Sequence, residues 1–505
     1  MEKLDALGVF WLQGNEDDQL TGQLTFDVRE GISLSVVGRF NDSQVDEDEV
    51  PDEQVEYQGV KKTSSKTGEV FTSAKNSSVP IIGWVGSKEV TLLEWHSAQS
   101  KVRSPGVIEQ RIRANQLFLG YHVNPEDLQF KSARVEFSQL VSWVGRTGIR
   151  DHAASRVLDG TPVSEITLTP VEAESATFSR GRITIGYGWR QHGDLRREAI
   201  LEHWPYVQID YDALIDFDEI KRDVGRIEDL LCLCVDAPTD MDRLTLTRPD
   251  VHSKMLSGED SGYPQQVEFR APRLRHTPTD SRKSIGYHDM LISFDEIGGV
   301  EAIARWIDGV QKFKRALNSV MSTRYAERMY TENRFLNITF AAEAFHRITQ
   351  GGTYMEEDEF RELFSAYASL TPEAHQRWLS DRLQYGNDAP LVKRLRKLAA
   401  KSKPVTRYLI GSEGTWAQTI SYVRNELTHL GDETVALKGS DLYFLSESVY
   451  SVLRICMLLE CGAPLDALAS KANSNAMTWQ KARVQAALRS VRAQLGLTRS
   501  ESVAT

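Results

Sequence analysis

The sequence predicts a multidomain α+β chain. An antiparallel β-rich unit of sandwich or barrel type spans residues 1–290, and an all-α helical bundle spans residues 291–505. Three observations carry this expectation. Up to about residue 270, β-branched and aromatic residues alternate with polar ones in short segments broken by Gly, Asn and Asp. From Phe294 onward the apolar spacing changes from two to three-to-four. At 505 residues the chain is too long for one ordinary core, so two or three domains are expected.

Taken in order, Leu24–Phe26, Ile32–Val37, Val90–Trp95, Leu117–Tyr121 and Arg182–Trp189 read as strands. Asp42–Glu53, with four consecutive acids at Asp46–Glu49, is too charged for a strand and reads as an exposed loop. The piece Gly181–Gly188 matches neither a phosphate loop nor a dinucleotide fingerprint, and it reads as a strand. Leu214–Cys234 carries Ile220, Val224, Ile227, Leu230 and Leu231 at helical spacing, which predicts one helix against the sheet. The carboxylates Asp210, Asp212, Asp216, Asp218 and Glu219 lead into it, where the helix dipole favours negative charge; a divalent-metal site would need convergent geometry besides. Arg270–His288, with Pro272 and Pro278, is the most linker-like stretch. Helices follow near 299–322, 331–349, 356–369, 371–383, 390–401, 414–430, 440–461 and 479–494, separated by breakers such as Gly351-Gly352, Pro404, Gly431 and Gly462.

Hydrophobic residues make up 41% and charged residues 26%, an ordinary globular composition. The opening Met-Glu-Lys-Leu-Asp places acids where a secretion signal needs a basic end, and no later segment offers about 18 uncharged apolar residues. A cytoplasmic protein without membrane attachment is expected. Cys232, Cys234, Cys456 and Cys461 lie in apolar runs without nearby His, so buried free thiols are expected rather than a metal centre, and no cofactor is implied. No Gly-x-Ser-x-Gly elbow points to a hydrolase triad.

The net charge of −11 is unevenly spread, because residues 1–300 hold about 33 basic and 49 acidic side chains and the remainder about 27 and 22. Lys393-Arg394-Leu-Arg396-Lys397, followed by Lys401 and Lys403, could meet phosphates or be a solvated helix face. The acidic run Glu356–Glu359 fits the start of a helix.

The motif richest in chemistry is Ser421-Tyr-Val-Arg424-Asn425-Glu-Leu-Thr-His429-Leu-Gly431. Arg424 supplies a planar fork of donors for phosphate, His429 can move a proton near neutral pH, and Asn425 can orient either. An arginine about six positions before a histidine also occurs at Arg146/His152, Arg197/His203, Arg270/His276 and Arg282/His288, so spacing alone decides nothing. Only Arg424/His429 combines four intervening residues, a neighbouring Asn and a helical setting. Without further context the pair reads more readily as an ion-paired arginine and a histidine helix cap than as a site. At 3.6 residues per turn the two side chains stand roughly 140° apart, which favours a cleft shared by two chains over a site on one helix.

The helix Arg334–Arg347 with Glu343 and His346, the Arg424-Asn425-x-x-x-His429 motif and a long apolar helix after it together resemble a HEPN domain. The entry Met290-Leu-Ile-Ser-Phe-Asp-Glu-Ile with Trp306 on the first helix resembles ApeA-like anti-phage HEPN proteins over essentially the whole chain. The resemblance implies a metal-independent endoribonuclease of bacterial antiviral, abortive-infection defence, acting on host RNA with tRNA as the expected target. It also implies a homodimer formed through the HEPN unit, with Arg424 and His429 catalytic, Asn425 supporting them, and the N-terminal unit a sensor or restraint responding to a phage-encoded trigger. Two other readings stay open. The bundle could be an inactive scaffold, or the β-rich unit could be a ligand-binding module that uses some of Trp11, Trp84, Trp95, Trp143, Trp189 and Trp204 for stacking.

Overall fold

A computed structural model describes residues 3–40, 76–77, 79–102, 108–152, 156–158, 161–163, 165–194, 196–255, 257–272, 285–326, 328–428 and 437–497. The acidic loop expected at Asp42–Glu53 and most of the linker-like stretch lie outside them.

The first strands are β1 (Leu4–Leu12), β2 (Leu20–Asp27), β3 (Gly31–Val37), β4 (Asn76–Ser77), β5 (Ile81–Val85), β6 (Lys88–Val102) and β7 (Ile108–Leu119). Six of them close an antiparallel ring in the order β1-β2-β3-β7-β6-β5 and back to β1, with β4 added beside β6. Alternation sets the register: Leu24 sits opposite Leu34 and Phe26 opposite Ile32, so one face of each strand points into a barrel core with Phe10, Val90, Leu92 and Ile112. Gly83 permits closure, since a side chain there would run into the Val9 carbonyl and the Phe10 ring.

Beyond the barrel, β8 (Gln129–Phe137), β13 (Glu174–Phe178), β14 (Gly181–His192), β15 (Ile200–Asp216), β16 (Met241–Lys254) and β17 (Asp260–Arg270) extend the sheet in the order β13-β14-β15-β8-β16-β17-β7. The end of β7 therefore belongs to both parts. Two short ribbons pair β9 (Ile149–Asp151) with β12 (Ile166–Leu168), and β10 (Arg156–Leu158) with β11 (Thr161–Val163). The predicted helix on the sheet is α2 (Phe217–Val235), preceded by the short α1 (Leu140–Val144). Asp216 caps α2 by accepting from the Asp218 amide, and Asp218 and Glu219 occupy its first turn, as the dipole argument expects. Phe118, Phe130, Phe217 and Phe269 interlock beneath it with ring centroids 4.7–6.5 Å apart.

The chain then becomes helical: α3 (Phe294–Ile297), α4 (Gly299–Gly309), α5 (Lys314–Tyr325), α6 (Thr331–Gln350), α7 (Glu357–Leu370), α8 (Glu373–Leu383), α9 (Leu391–Lys401), α10 (Lys403–Ile410), α11 (Glu413–Thr428), α12 (Gly439–Glu460), α13 (Leu465–Ser470) and α14 (Asn475–Gln494). The helix expected over 299–322 is two, joined by a 3₁₀ turn at Val310–Phe313. Pro404 does not stop a helix but stands in the first turn of α10, where its missing N–H costs no intrahelical bond. By length and apolarity α12 could cross a membrane, yet 83% of its apolar window is buried inside the bundle.

Sheet and bundle share one continuous hydrophobic core. Arg454 of α12 donates to the carbonyls of Leu233 and Cys234 at the end of α2. Asp236, the left-handed cap of that helix, accepts from Arg324 at 2.9 Å and from Tyr450 at 3.1 Å, and Arg324 also pairs with buried Glu447. Trp143 donates to the Ile292 carbonyl and Trp306 to that of Arg226. All four cysteines are free and buried, and burial pushes their thiols up to about 12.

Candidate active site

Trp416, Ile420 and Val423 repeat at i, i+4 and i+7 on α11 and fix how that helix lies in the bundle. The Trp416 indole donates to Ser448 Oγ of α12 at 2.9 Å, locking the rotation. Arg424, next to the buried stripe, is thereby turned toward α6, where Phe340, Glu343 and Arg347 share an outer face.

Arg424 is 28% exposed, and its Nη2 lies 3.7 Å from Glu343 Oε2. Its guanidinium stands 5.6 Å from the centre of the Phe340 ring, and Nη1 donates to Asn425 Oδ1 at 3.2 Å. Nε is buried without a hydrogen-bond partner. An ion pair alone would give the contact with Glu343. The loose 3.7 Å geometry and the partial exposure leave the terminal nitrogens of the fork with donor capacity for an anionic ligand. At the end of α11, Thr428 Oγ1 donates to the carbonyls of Arg424 and Asn425. His429 lies outside the described residues, so the structure brings together Arg424 and Asn425 of the three expected site residues.

Two neighbours complete the setting. Glu343 bridges toward Arg347 at 4.0 Å, and Arg347 pairs with Asp388 at 2.9 Å. One turn beyond Glu343, His346 is 1% exposed, and neither ring nitrogen makes a well-formed hydrogen bond, with only weak compensation from the Gly351 backbone. Burial, reinforced by the positive charges of Lys397 and Arg394, lowers its pKa to about 4, so it is a neutral core residue rather than a proton carrier at pH 7. Sequence reasoning named Glu343 and His346 but missed Phe340; an aromatic one turn before Glu343 on the same face was the available signal.

Much of the basic run that spans α9 and the start of α10 is spent internally, while Arg396 and Lys397 stay exposed. Arg394 is fully buried and donates to the Ala389 and Gly352 carbonyls, Lys393 to that of Tyr354, and Lys401 and Lys403 pair with Glu460 and Glu413. Among the described residues no cluster of three or more His, Cys, Asp or Glu is placed to hold a metal. Of the tryptophans, Trp11, Trp95 and Trp143 are core, whereas Trp189 is 62% exposed. It borders a cleft of about 560 Å³ with Tyr187 and His203, whose rings stack 5.3 Å apart.

A barrel-and-sheet unit shares its core with a helical bundle that carries a partly exposed arginine near the end of one helix, which defines a two-part protein with its candidate site on the helical part. The model of ApeA N-terminal domain 1 matches residues 5–306 and that of the Apea-like HEPN domain matches residues 336–467, and the chain belongs to the ApeA family of anti-phage HEPN nucleases. A nuclease role in antiviral defence follows at that level. No curated protein and no solved structure matches the chain.

Proposed function

We propose that the chain is a metal-independent endoribonuclease of abortive-infection defence that cleaves host RNA, with tRNA as the target, in the cytoplasm. Residues 291–505 cut, and residues 1–290 restrain or sense. The observation that supports this most is the state of Arg424, loosely paired and partly open at the end of α11 within a HEPN-family domain.

In the proposed reaction an RNA 2′-hydroxyl attacks the adjacent phosphorus and the bond to the 5′-oxygen breaks, ending in a 2′,3′-cyclic phosphate and a 5′-hydroxyl. One proton leaves the 2′-oxygen and one reaches the leaving oxygen, with His429 moving one of them. Arg424 compensates the extra charge of the phosphorane, while Asn425 holds the guanidinium through the observed hydrogen bond. Two copies pair through the HEPN unit to complete the cleft, and a phage-encoded protein is the trigger.

The test is tRNA integrity in phage-challenged cells carrying the wild-type chain or Arg424→Ala. Fragments in the first and none in the second support the reading; equal fragments in both contradict it. The Trp189 cleft favours one addition, that the β-rich unit recognises a ligand by stacking, which a binding screen on the full chain with Trp189→Ala as control would examine.

A further inference from the structure

In a chain of net charge −11, α10 and α14 together hold six lysines and arginines and no aspartate or glutamate. The two helices pack side by side, and their outer surface interleaves cations with aromatic faces. Tyr408, 41% exposed, lies 5.0 Å below the Arg407 guanidinium and 5.5 Å from Lys481 Nζ. Trp479, 51% exposed, lies 5.7 Å from the Arg483 guanidinium. Arg489 is exposed two turns along α14 from Lys481. Among the described residues no carboxylate pairs with Arg407, Lys481, Arg483 or Arg489, whereas Lys401 and Lys403 pair with Glu460 and Glu413. Unpaired cations beside exposed aromatic rings match a flexible polyanion that carries its own flat faces.

We infer that Arg407, Tyr408, Trp479, Lys481, Arg483 and Arg489 form a docking surface for single-stranded RNA, separate from the cleavage residues; this rests on the ribonuclease reading above. The cations track the phosphates, and Tyr408 and Trp479 offer bases a stacking platform that requires no particular sequence. The small residues Ala482 and Ala486 lie exposed between them on α14, so the strand can approach the helix closely. Inside the bundle α14 also meets α11, where Arg492 donates to Thr419 at 3.4 Å, so the docking surface and Arg424 belong to neighbouring helices.

The experiment measures anisotropy of a labelled oligouridylate of about 12 nucleotides, within the usual range of single-strand site sizes. The full chain carries Arg424→Ala so that the probe is not consumed. Adding Lys481→Glu with Arg483→Glu should weaken binding at least tenfold and flatten the dependence of log Kd on log salt. Trp479→Ala should weaken the single strand about tenfold and a duplex of the same length much less. Should charge reversal unfold the chain, Lys481→Gln with Arg483→Gln, checked by thermal melting, carries the same expectation. Absence of binding by the parent, unchanged binding by the variants, or variants that alter sedimentation mass instead of RNA affinity overturns the proposal. Cleavage by chains with native Arg424 is read separately: binding without cleavage defeats the nuclease reading alone, and cleavage with unchanged binding defeats this surface alone.

Discussion

Arg424 is held by three different kinds of contact, and each makes a different demand on substitution. Arg424→Ala removes the charge that would compensate a phosphorane and should lower cleavage at least 10² to 10³-fold, roughly the effect of deleting one transition-state donor. Arg424→Lys keeps charge but loses the fork and should rescue little. Glu343→Gln releases Arg424 from its acidic neighbour while leaving the helix contacts intact; cleavage should change while the melting temperature stays put. His346 bears on stability instead. Its folded pKa of about 4 lies below the ordinary value of 6.5, so between these limits the unfolded chain binds more protons. The stability from keeping this ring neutral is therefore complete above pH 6.5 and is lost as pH falls toward 4, amounting to about 3 kcal/mol at most. Denaturant titrations of wild type and His346→Leu across this window should show a shallower acid loss in the variant.

At the scale of elements, the end of α2 is where the sheet meets the bundle. Asp236 is enclosed by Arg324, Tyr450 and Arg454, so Asp236→Ala leaves buried Arg454 without a carboxylate and Arg324 with Glu447 alone, and should cost about 3–5 kcal/mol. Denaturant unfolding would measure this loss, and an effect under about 1 kcal/mol would mean that the network is not holding the units together. Strands and long helices could be read from sequence because a period is a local property: the alternation in Ile32–Val37 and the three-to-four spacing of α2 are visible in single segments. Closure of the barrel was not, since it depends on β1 meeting β5 some seventy residues away, and nothing within either strand names its partner. Likewise α10 was missed because Pro404 was read as a stop, although proline suits the first turn of a helix as well as the residue after one. The candidate site was half legible. Arg424 and Asn425 stood out by type and spacing, whereas the approach of Phe340 depends on how α6 packs against α11.

Across the whole molecule, the β-rich unit and the bundle share one core, and Arg454 of α12 and Arg324 of α5 both reach the end of α2. The roughly 140° between Arg424 and His429 on an ideal helix argues that one chain holds only part of a cleft. Sedimentation should therefore find a homodimer, and mixed dimers of Arg424→Ala with His429→Ala should keep part of the wild-type cleavage if the cleft is shared. The most direct test of the account is cleavage of purified tRNA by the full chain in EDTA, with Arg424→Ala and His429→Ala alongside and the new ends analysed. The account predicts cuts that persist without metal, carry 2′,3′-cyclic phosphate and 5′-hydroxyl ends, and vanish in both variants; cuts that need metal, or that survive both substitutions, would contradict it.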